Sequence, residues 1–390
     1  MPSFHNITKA YSTFLIVFIF FSILSLFENP TLISIGQQSI DVLLIMSLIF
    51  VTLYRFSEKL NLQYQYQIAC LFILLAVFYT YSYFLFKTEP TFQLIIELVL
   101  FFIFIFSLIL IKWNKRDLNI ISSLVTLFII MFLYQWITLD FPLLKFKSFF
   151  RNPNALGAVL LVFSYFLILR TLYSNHITKI FNTILILITL FLIYSSTSRT
   201  VWLSLLFILL AWVIYNYSYN KFKYLFPVTL IFSLLFSIFY VFSFNTVLGD
   251  FMDKLSKTLF GKSLYSGREI LWNDLFNHSL NAPFLGYGYG TNFNEMNSRG
   301  QSPHNMYLQI MLESGVIGLI IFILVLYFLW KMLLKNIGST AAQLSAFYFI
   351  GFLVYLNFET TIFPASIVAI GIFQWLIITF GTNFKEQDLP

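Results

Sequence analysis

Two arginines and a histidine stand where helical segments are predicted to begin. Arg199 directly precedes a long apolar run, Arg268 opens an amphipathic stretch, and His304 precedes another apolar run. Arginine binds phosphate groups through paired hydrogen bonds, and histidine transfers protons near neutral pH. The first turn of a helix is already positive, so cations placed there predict a bound anion. The three residues therefore indicate a site for an anionic substrate with a proton-transfer group beside it.

Other polar residues extend this set. Glu313 lies about two and a half turns beyond His304 in an otherwise apolar run, where an ionisable residue is costly and indicates a function or a buried partner. The catalytic candidates are His304, Arg199, Arg268 and Glu313, with Glu295 and Glu269 as rival bases. The candidates for binding a pyrophosphate or a glycan are Arg199, Arg268, Arg151, Asn154, Tyr287, Tyr289 and Asn305.

Each candidate also has a purely structural interpretation. Arg199 could extend to lipid head groups, Arg268 could form a salt bridge, and His304 could cap a helix. The glycine-rich run 281–290 is either a turn that brings backbone close to a ligand or simply a tight turn. Ser266 and Glu269 have the spacing of a capping box, which predicts a helix from there to about Leu280. These alternatives remain open from the sequence alone.

The elements that must position these residues are membrane spans. Of the 390 residues, 59% are hydrophobic and 10% are charged, whereas soluble domains have about 25% charged residues. About twenty apolar residues cross a bilayer. Such windows predict an all-α, polytopic membrane protein with spans at about 11–27, 36–54, 66–86, 91–111, 118–139, 154–172, 178–195, 199–217, 224–244, 305–330, 340–358 and 362–380.

The distribution of charge predicts the orientation. With the N-terminus in the cytoplasm, the inner side has thirteen Lys and Arg against four Asp and Glu, and the outer side has ten against eleven. Positive residues favour the cytoplasmic side, so the basic composition is a sign of topology and predicts no nucleic-acid partner. We divide the chain into spans one to nine (1–244), a long outer loop with amphipathic helices (245–304) and spans ten to twelve (305–390).

Nine of the outer cations fall in three places, namely 145–151, Arg199 and the long loop. Topology gives no reason for cations there, which again suggests an anion held at the outer face. Cys70 is the only cysteine and no Asp-x-Asp pair occurs, so we expect no disulfide, no metal site and no cofactor.

Together these motifs resemble the superfamily of O-antigen ligases and O-antigen or capsular polysaccharide polymerases. The resemblance rests on Ser198-Arg199 with Trp202, on Gly267-Arg268 through Trp272 and Pro283 to Gly286-x-Gly288, and on Pro303-His304-Asn305 through Glu313-x-Gly315-x-x-Gly318. The Asn-Pro-Asn sequence at 152–154 fits as well. The motifs cover about residues 150–320, and the rest of the chain is similar only in hydropathy.

The resemblance implies a function and a set of site residues. It implies a metal-independent, inverting membrane glycosyltransferase, related to the type C fold, that passes a glycan from undecaprenyl diphosphate to an acceptor hydroxyl on the periplasmic or extracellular side of the bacterial inner membrane. It also implies that Arg199, Arg268 and His304 are the functional set. The expected partners are that lipid-linked glycan, membrane lipid and a chain-length regulator protein.

Three functions remain in competition. We favour a polymerase, because Lys145, Lys147 and Arg151 could hold the pyrophosphate of a second lipid-linked repeat unit. The first alternative is a ligase that transfers the glycan to lipid A core. The second is a transporter of lipid-linked oligosaccharides, which the sequence favours less because no internal repeat is visible and only Glu97 is clearly within the membrane.

Overall fold

The computed structural model describes residues 4–57, 63–86, 92–260, 263–265, 267–362 and 368–385. Within these ranges the chain is helical and contains no strand, apart from one isolated bridge between Phe27 and Phe150. Nine helices are long and apolar enough to cross a membrane, and three shorter apolar helices, Tyr66–Tyr81, Thr340–Tyr355 and Ala369–Asn383, accompany them. These helices coincide with the twelve predicted spans. The prediction of an all-α polytopic membrane protein is therefore confirmed.

The helices are numbered in chain order. They are α1 (Phe4–Ser22), α2 (Pro30–Ser57), α3 (Gln63–Phe86), α4 (Phe92–Leu110), α5 (Lys115–Thr138), α6 (Pro153–Leu172), α7 (His176–Ser196), α8 (Arg199–Tyr217), α9 (Tyr219–Phe222), α10 (Leu225–Phe242), α11 (Val247–Phe260), α12 (Arg268–Ser279), α13 (Met306–Lys335), α14 (Thr340–Tyr355) and α15 (Ala369–Asn383).

Helices α6, α14 and α15 form the centre of the bundle, since most residues of α6 and nearly all of α14 and α15 are buried. Helices such as α7, α8 and α10 expose large apolar side chains along one side, as expected of surfaces in contact with lipid. Helix α8 packs closely on α14, because the absent side chain of Gly351 lets that helix approach the Ser204 carbonyl. The start of α8 and the end of α14 consequently lie at the same end of the bundle.

That end also holds the end of α10 and the start of α13, and we call it the site end. The opposite end is fastened by hydrogen bonds between chain segments distant in sequence. Asn336 donates to the Thr382 carbonyl (2.8 Å), and the indole of Trp330 donates to the Lys223 carbonyl (3.2 Å). The backbone N–H of Lys385 donates to the Trp113 carbonyl at 2.9 Å. Lys223 and Lys385 are both among the thirteen cations predicted to lie on the cytoplasmic side.

The chain between α10 and α13 folds over the site end. Asp253 of α11 accepts hydrogen bonds from the Ser263 hydroxyl (2.5 Å) and the Leu264 N–H (2.7 Å), and it pairs with Lys257 at 2.6 Å. The Lys257 ammonium, followed by the Ser263 hydroxyl, lowers the pKa of Asp253 to about 2. Asp253 therefore fixes the position of the segment that leads into α12.

Helix α12 begins at Arg268, as predicted, and ends at Ser279. Its first N–H groups follow Gly267, which has a left-handed φ of 91°, and the Glu269 carboxylate accepts a hydrogen bond from the Gly267 N–H at 2.8 Å. The glutamate thus caps the N–H of Gly267, one residue later than the capping box with Ser266 predicted, and Ser266 itself lies outside the described residues. Ile270 in the first turn of this helix is exposed.

The glycine-rich residues 283–290, which we call the glycine turn, dock onto a break in α13. At Gly315 the backbone has φ 62° and ψ −167°, which interrupts the helical hydrogen bonds. The turn takes over the freed groups, since Tyr287 N–H donates to Leu312 O (2.7 Å), Gly288 N–H to Glu313 O (2.9 Å), and Val316 N–H to Pro283 O (2.8 Å). Unpaired backbone groups at membrane depth are costly, so the break and the turn stabilise each other.

The glycines are required by this close approach. A Cβ on Gly286 would lie 2.5 Å from backbone atoms of Glu313, and one on Gly315 would lie 2.2 Å from the Phe284 carbonyl carbon. Both glycines also have positive φ angles. The glycines therefore do more than allow a tight turn, because they bring the backbone of the turn close to the backbone of α13.

We predict that Gly286→Ala and Gly315→Ala each lower the free energy of unfolding by about 3 kcal/mol or more, because backbone cannot yield to the added methyl group. Gly300 has a φ of 60° with no atom near its Cβ position, and Gly338 has open space without a positive φ. We expect Gly300→Ala to cost about 1 kcal/mol and Gly338→Ala to be nearly neutral. Unfolding in detergent measures all four variants. Equal stability of Gly286→Ala and Gly338→Ala would contradict the docking.

Candidate active site

An arginine, a histidine and a glutamate meet at the site end. Glu359, just beyond α14, places one carboxylate oxygen 3.8 Å from Nη2 of Arg268 and the other 3.7 Å from Nδ1 of His304. The side chains of Arg268 and Glu359 are 21% and 23% exposed, and that of His304 is 41% exposed. A ligand can therefore reach all three. We call them the Arg–His–Glu cluster.

Aromatic packing and hydrogen bonds hold the cluster in place. The Arg268 guanidinium lies over the Phe358 ring, 5.6 Å from its centroid. One turn further along α12, the buried indole of Trp272 donates to the Pro303 carbonyl at 2.8 Å and fixes the residue before His304. His304 itself has a left-handed φ of 49°, which costs a non-glycine residue about 1 kcal/mol or more. Such strain at an exposed ionisable residue indicates a functional position.

The start of α13 is tied to the end of α14 by a second set of contacts. The Met306 N–H donates to the Leu356 carbonyl at 2.8 Å. Asn305 caps α13, since its side-chain oxygen accepts from the Leu308 N–H, and its amide donates to the Ser237 hydroxyl at 3.0 Å. That hydroxyl donates in turn to the Asn357 side-chain oxygen at 3.1 Å. The elements carrying His304 and Glu359 are thereby fixed relative to each other.

Arg199 lies at the same end of the bundle, at the start of α8. Its Nη1 donates to the Ser263 carbonyl at 2.9 Å, so it touches the segment that leads into Arg268. Because Ser204 of α8 lies against Gly351 of α14, a helical rise of about 1.5 Å per residue places Arg199 about level with Leu356. The arginine is exposed. It therefore lies at the same level of the bundle as the Arg–His–Glu cluster.

The segment ahead of α6 borders Arg199 from the other side. Gly157 packs so closely on Ser198 that an added Cβ would lie 2.9 Å from the serine Cβ. Asn152 caps α6 by accepting from the Ala155 N–H at 2.9 Å, as its sequence context predicts. Arg151 and Asn154, both predicted to bind substrate, are exposed at this end. The structure therefore brings them towards Arg199 without placing them in the cluster.

Four other predicted site residues lie away from this surface or have structural roles, namely Asn305, Tyr287, Tyr289 and Glu313. Asn305 is fully buried as a helix cap, and the hydroxyl of Tyr287 donates to the His278 carbonyl at 2.7 Å. Tyr289 is buried, with its ring 4.8 Å from that of Tyr79. Burial, followed by the charge of Glu313, raises the pKa of the Tyr289 hydroxyl far above its ordinary value.

Glu313 is completely buried beneath the glycine turn and accepts a hydrogen bond from Gln309 at 3.1 Å. It carries no arginine partner among the described residues, although the sequence suggested one. Its position behind the turn favours a role in holding the loop, and its catalytic role stays a prediction.

The two rival bases, Glu269 and Glu295, form hydrogen bonds outside the Arg–His–Glu cluster. Glu269 is buried and bonded to the Gly267 N–H, whereas Glu295 accepts from the Asn292 amide at 2.6 Å on a different part of the loop. Neither forms an ion pair with Arg268 or His304 within the described ranges. Of the predicted acid–base groups, His304 is the one that the structure places in the Arg–His–Glu cluster.

Sequence reasoning missed Glu359. It is a single acid between two apolar runs, with no neighbour that suggests a motif. The one available signal was its position, because Glu359 falls in the short loop between the predicted spans 340–358 and 362–380, on the predicted outer side.

An apolar groove lies next to the segments that carry the cluster, although none of the three cluster residues lines it. It has a volume of about 300 Å³ and lies between α10, α12 and α13, with Trp272, Phe276, Tyr307, Leu308, Met311 and Leu319 among its lining residues. Asn305 and Ser237 border it near the cluster. The site therefore combines cations at the membrane rim with an apolar channel below them.

Comparisons with known proteins agree with this arrangement. The family model of O-antigen ligase matches residues 184–323, a range that includes Arg199, Arg268 and His304. A protein of Rickettsia felis named "Putative polysaccharide ligase" is 36% identical in an alignment of length 107, which covers 23% of this chain and 26% of that relative. The match thus spans about a quarter of the relative's length. The resemblance indicated by the motifs is confirmed over residues 184–323, where the chain is similar to the O-antigen ligase family.

Proposed function

We propose that the protein is a membrane glycosyltransferase that passes a glycan from a polyprenyl diphosphate to a hydroxyl of an acceptor glycolipid. The observation that carries the proposal is the meeting of Arg268, His304 and Glu359, with an apolar groove beginning at the neighbouring residues Trp272 and Asn305. A donor of this kind needs cations for its pyrophosphate, a base for the acceptor and an apolar path for its tail.

In the proposed reaction, the acceptor oxygen forms a bond to the anomeric carbon while the bond from that carbon to the diphosphate oxygen breaks. The acceptor proton passes to His304, and the electron pair of the broken bond leaves with the polyprenyl diphosphate. Attack from the face opposite the leaving group inverts the anomeric configuration. Arg199 and Arg268 stabilise the charge that develops on the diphosphate. Electrostatic stabilisation of this kind is usually the largest single contribution to the rate.

Glu359 has two tasks in this scheme. Its carboxylate faces Nδ1 of His304, which leaves Nε2 to take the acceptor proton, and it stabilises the imidazolium that forms. It also pairs with Arg268 before the donor binds, so that the guanidinium is held in place without being buried unpaired. The donor diphosphate then competes with Glu359 for Arg268.

The apolar groove offers a place for the first isoprene units of the donor. It borders Trp272 and Asn305, which connect directly to the residues flanking His304. A diphosphate held by Arg268 would have its tail directed between α10 and α13. The tail would then remain at membrane depth while the glycan stays outside.

We propose a ligase in preference to a polymerase. The polymerase interpretation rested on Lys145, Lys147 and Arg151 as a second diphosphate site, but Lys147 pairs with Glu28 at 3.0 Å. The matching family and the Rickettsia relative are both named as ligases. The polymerase remains the second candidate because Lys145 and Arg151 are exposed at the site end.

The test uses the purified protein with one defined undecaprenyl-diphosphate repeat unit. A ligase is expected to transfer the glycan only when lipid A core is added, and to do so in excess EDTA. A ladder of products differing by one repeat unit, formed without core lipid, would replace the ligase with the polymerase. Absence of any transfer, with donor transported intact across liposomes, would support the transporter instead.

We predict that the site end faces outwards and both termini lie in the cytoplasm. In a Cys70→Ala background, single cysteines at Lys257 and Arg299 should react with an impermeant thiol reagent on intact spheroplasts. Cysteines at Lys115 and Lys335, at the opposite end, should react only after permeabilisation. The expectation follows from the charge difference between the two ends. The reverse labelling pattern would overturn the proposed function, because its substrates are displayed outside.

A further inference from the structure

A second cavity lies on the loop, apart from the Arg–His–Glu cluster. It has a volume of about 560 Å³ and is open to solvent. Its lining residues are Asp274, Asn277, His278, Asn281, Glu295 and Met296, together with Asn297 and Ser298. We call it the polar cleft. Nothing in the proposed reaction uses these side chains.

The cleft is built on a fixed frame. One oxygen of Asp274 accepts hydrogen bonds from both the N–H (3.0 Å) and the hydroxyl (2.7 Å) of Ser298, which joins α12 to the following loop. Asn297 donates to the carbonyls of Phe293 and Gln301. These bonds hold the two walls in position without filling the space between them.

Polar groups on the walls remain available to a ligand. The side chains of Asn277, His278 and Asn281 make no hydrogen bond to any described residue. Asp274 and Glu295 each use one oxygen within the protein, and the other oxygen of each has no hydrogen-bond partner among the described residues. Amides and carboxylates in this combination can both donate to and accept from hydroxyl groups. They are the groups that recognise a neutral, hydroxyl-rich ligand.

Charge argues against a second phosphate site. No Lys or Arg lines the cleft, whereas two carboxylates do. A pyrophosphate would be repelled, and the cations that could hold one are gathered around Arg268 instead. The volume is within the range of about 300–1,000 Å³ that small-ligand sites occupy, which is enough for a short saccharide.

The cleft also lies at a suitable distance from the cluster. Arg268 begins α12, and Asp274 to His278 form its later turns, so that a rise of about 1.5 Å per residue separates them by roughly 9–15 Å along the helix. The loop from Glu295 leads back to Pro303, which Trp272 holds beside His304. A glycan lying over α12 could therefore connect the two places.

We propose that the polar cleft is a glycan-binding subsite, which holds sugar residues two or more units away from the bond being formed. The assignment rests on the proposed glycan transfer for the identity of its ligand. Through this cleft the protein recognises the glycan itself as well as the diphosphate.

The probe is a set of lipid-free oligosaccharides of two to six sugars, released by mild acid from the surface polysaccharide of the cells that naturally produce the protein. Binding to the full-length protein in nanodiscs is measured by saturation-transfer-difference NMR. The double variant Asn277→Ala/Asn281→Ala should weaken binding about tenfold, as two lost hydrogen bonds predict. Both side chains are exposed and make no hydrogen bond to the described residues, so folding should not change. Asn273→Ala, an exposed asparagine on the same helix outside the cleft, is the control.

The outcomes separate the cleft from the proposed reaction. Binding that is weakened by the double variant, but retained in Arg268→Ala and Asn273→Ala, supports the cleft even if no transfer is found. Binding that is absent from the wild-type protein while transfer proceeds would overturn the cleft and leave the reaction standing. Oligosaccharide binding that the double variant leaves unchanged would also overturn the cleft. A melting temperature that responds to CaCl₂ but to no oligosaccharide would overturn it as well, because the two carboxylates would then bind a cation and not a glycan.

Discussion

Replacement of Arg268 by alanine is expected to lower the rate of glycan transfer by about 10²–10³-fold, since a lost contact to a developing charge costs about 3–4 kcal/mol. Arg199→Ala should have an effect of similar size. Arg268→Lys should recover little, because an ammonium cannot reproduce the paired hydrogen bonds of a guanidinium or its stacking on Phe358. The measurement is initial rate with a saturating, defined lipid-linked donor.

The matched control is Arg116→Ala. Arg116 also stands in the first turn of a helix and is exposed, but it lies at the opposite end of the bundle and donates to Thr13. Its loss should leave the rate within a factor of two or so. If Arg199→Ala and Arg268→Ala both retained full activity, the diphosphate would have to be bound elsewhere, and the proposed site would be wrong.

Replacement of His304 by alanine is expected to lower transfer by about 10²–10⁴-fold, the usual contribution of a positioned acid–base group. Added imidazole should restore part of the activity, because a small base can enter the space left by the side chain. His176→Ala, also at a helix start but exposed at the opposite end, serves as the control. An inactive His304→Ala variant that imidazole fails to rescue, with intact folding, would point to a structural role.

Glu359 makes this prediction more specific. Glu359→Gln should lower activity in the wild-type protein but have little further effect once His304 is absent, because coupled residues are not additive. Glu359→Asp keeps the charge and should be milder than Glu359→Gln. Additive losses in the double variant would show that Glu359 acts independently of His304, for example through Arg268 alone.

The spans and the order of the three cations could be predicted because both have local signals. An apolar run long enough to cross a bilayer has almost no alternative to a helix, and Arg199, Arg268 and His304 each stand at a helix start. Asn305 was misleading for the same local reason, since a polar residue beside His304 suggests substrate binding, whereas its buried amide caps α13.

What could not be predicted depends on contacts between distant segments. Glu359 meets Arg268 and His304 only because α14 packs on α8 and its end is bonded to the start of α13. The glycine turn is held by backbone hydrogen bonds, which leave no side-chain signature except the glycines themselves. Sequence could show that a close approach was needed, but it could not show that the partner was the backbone of α13.

The dependence of the glycine turn on α13 also has a consequence for biogenesis. The ribosome produces residues 283–290 before residues 312–316, yet the turn bonds to Leu312, Glu313 and Val316. The loop is therefore synthesised before its anchor on α13. Arg268 can be set against His304 only after α13 has inserted. Assembly of the Arg–His–Glu cluster is thus a late event of membrane insertion, and during that interval the unanchored loop is exposed to proteases and to chaperones.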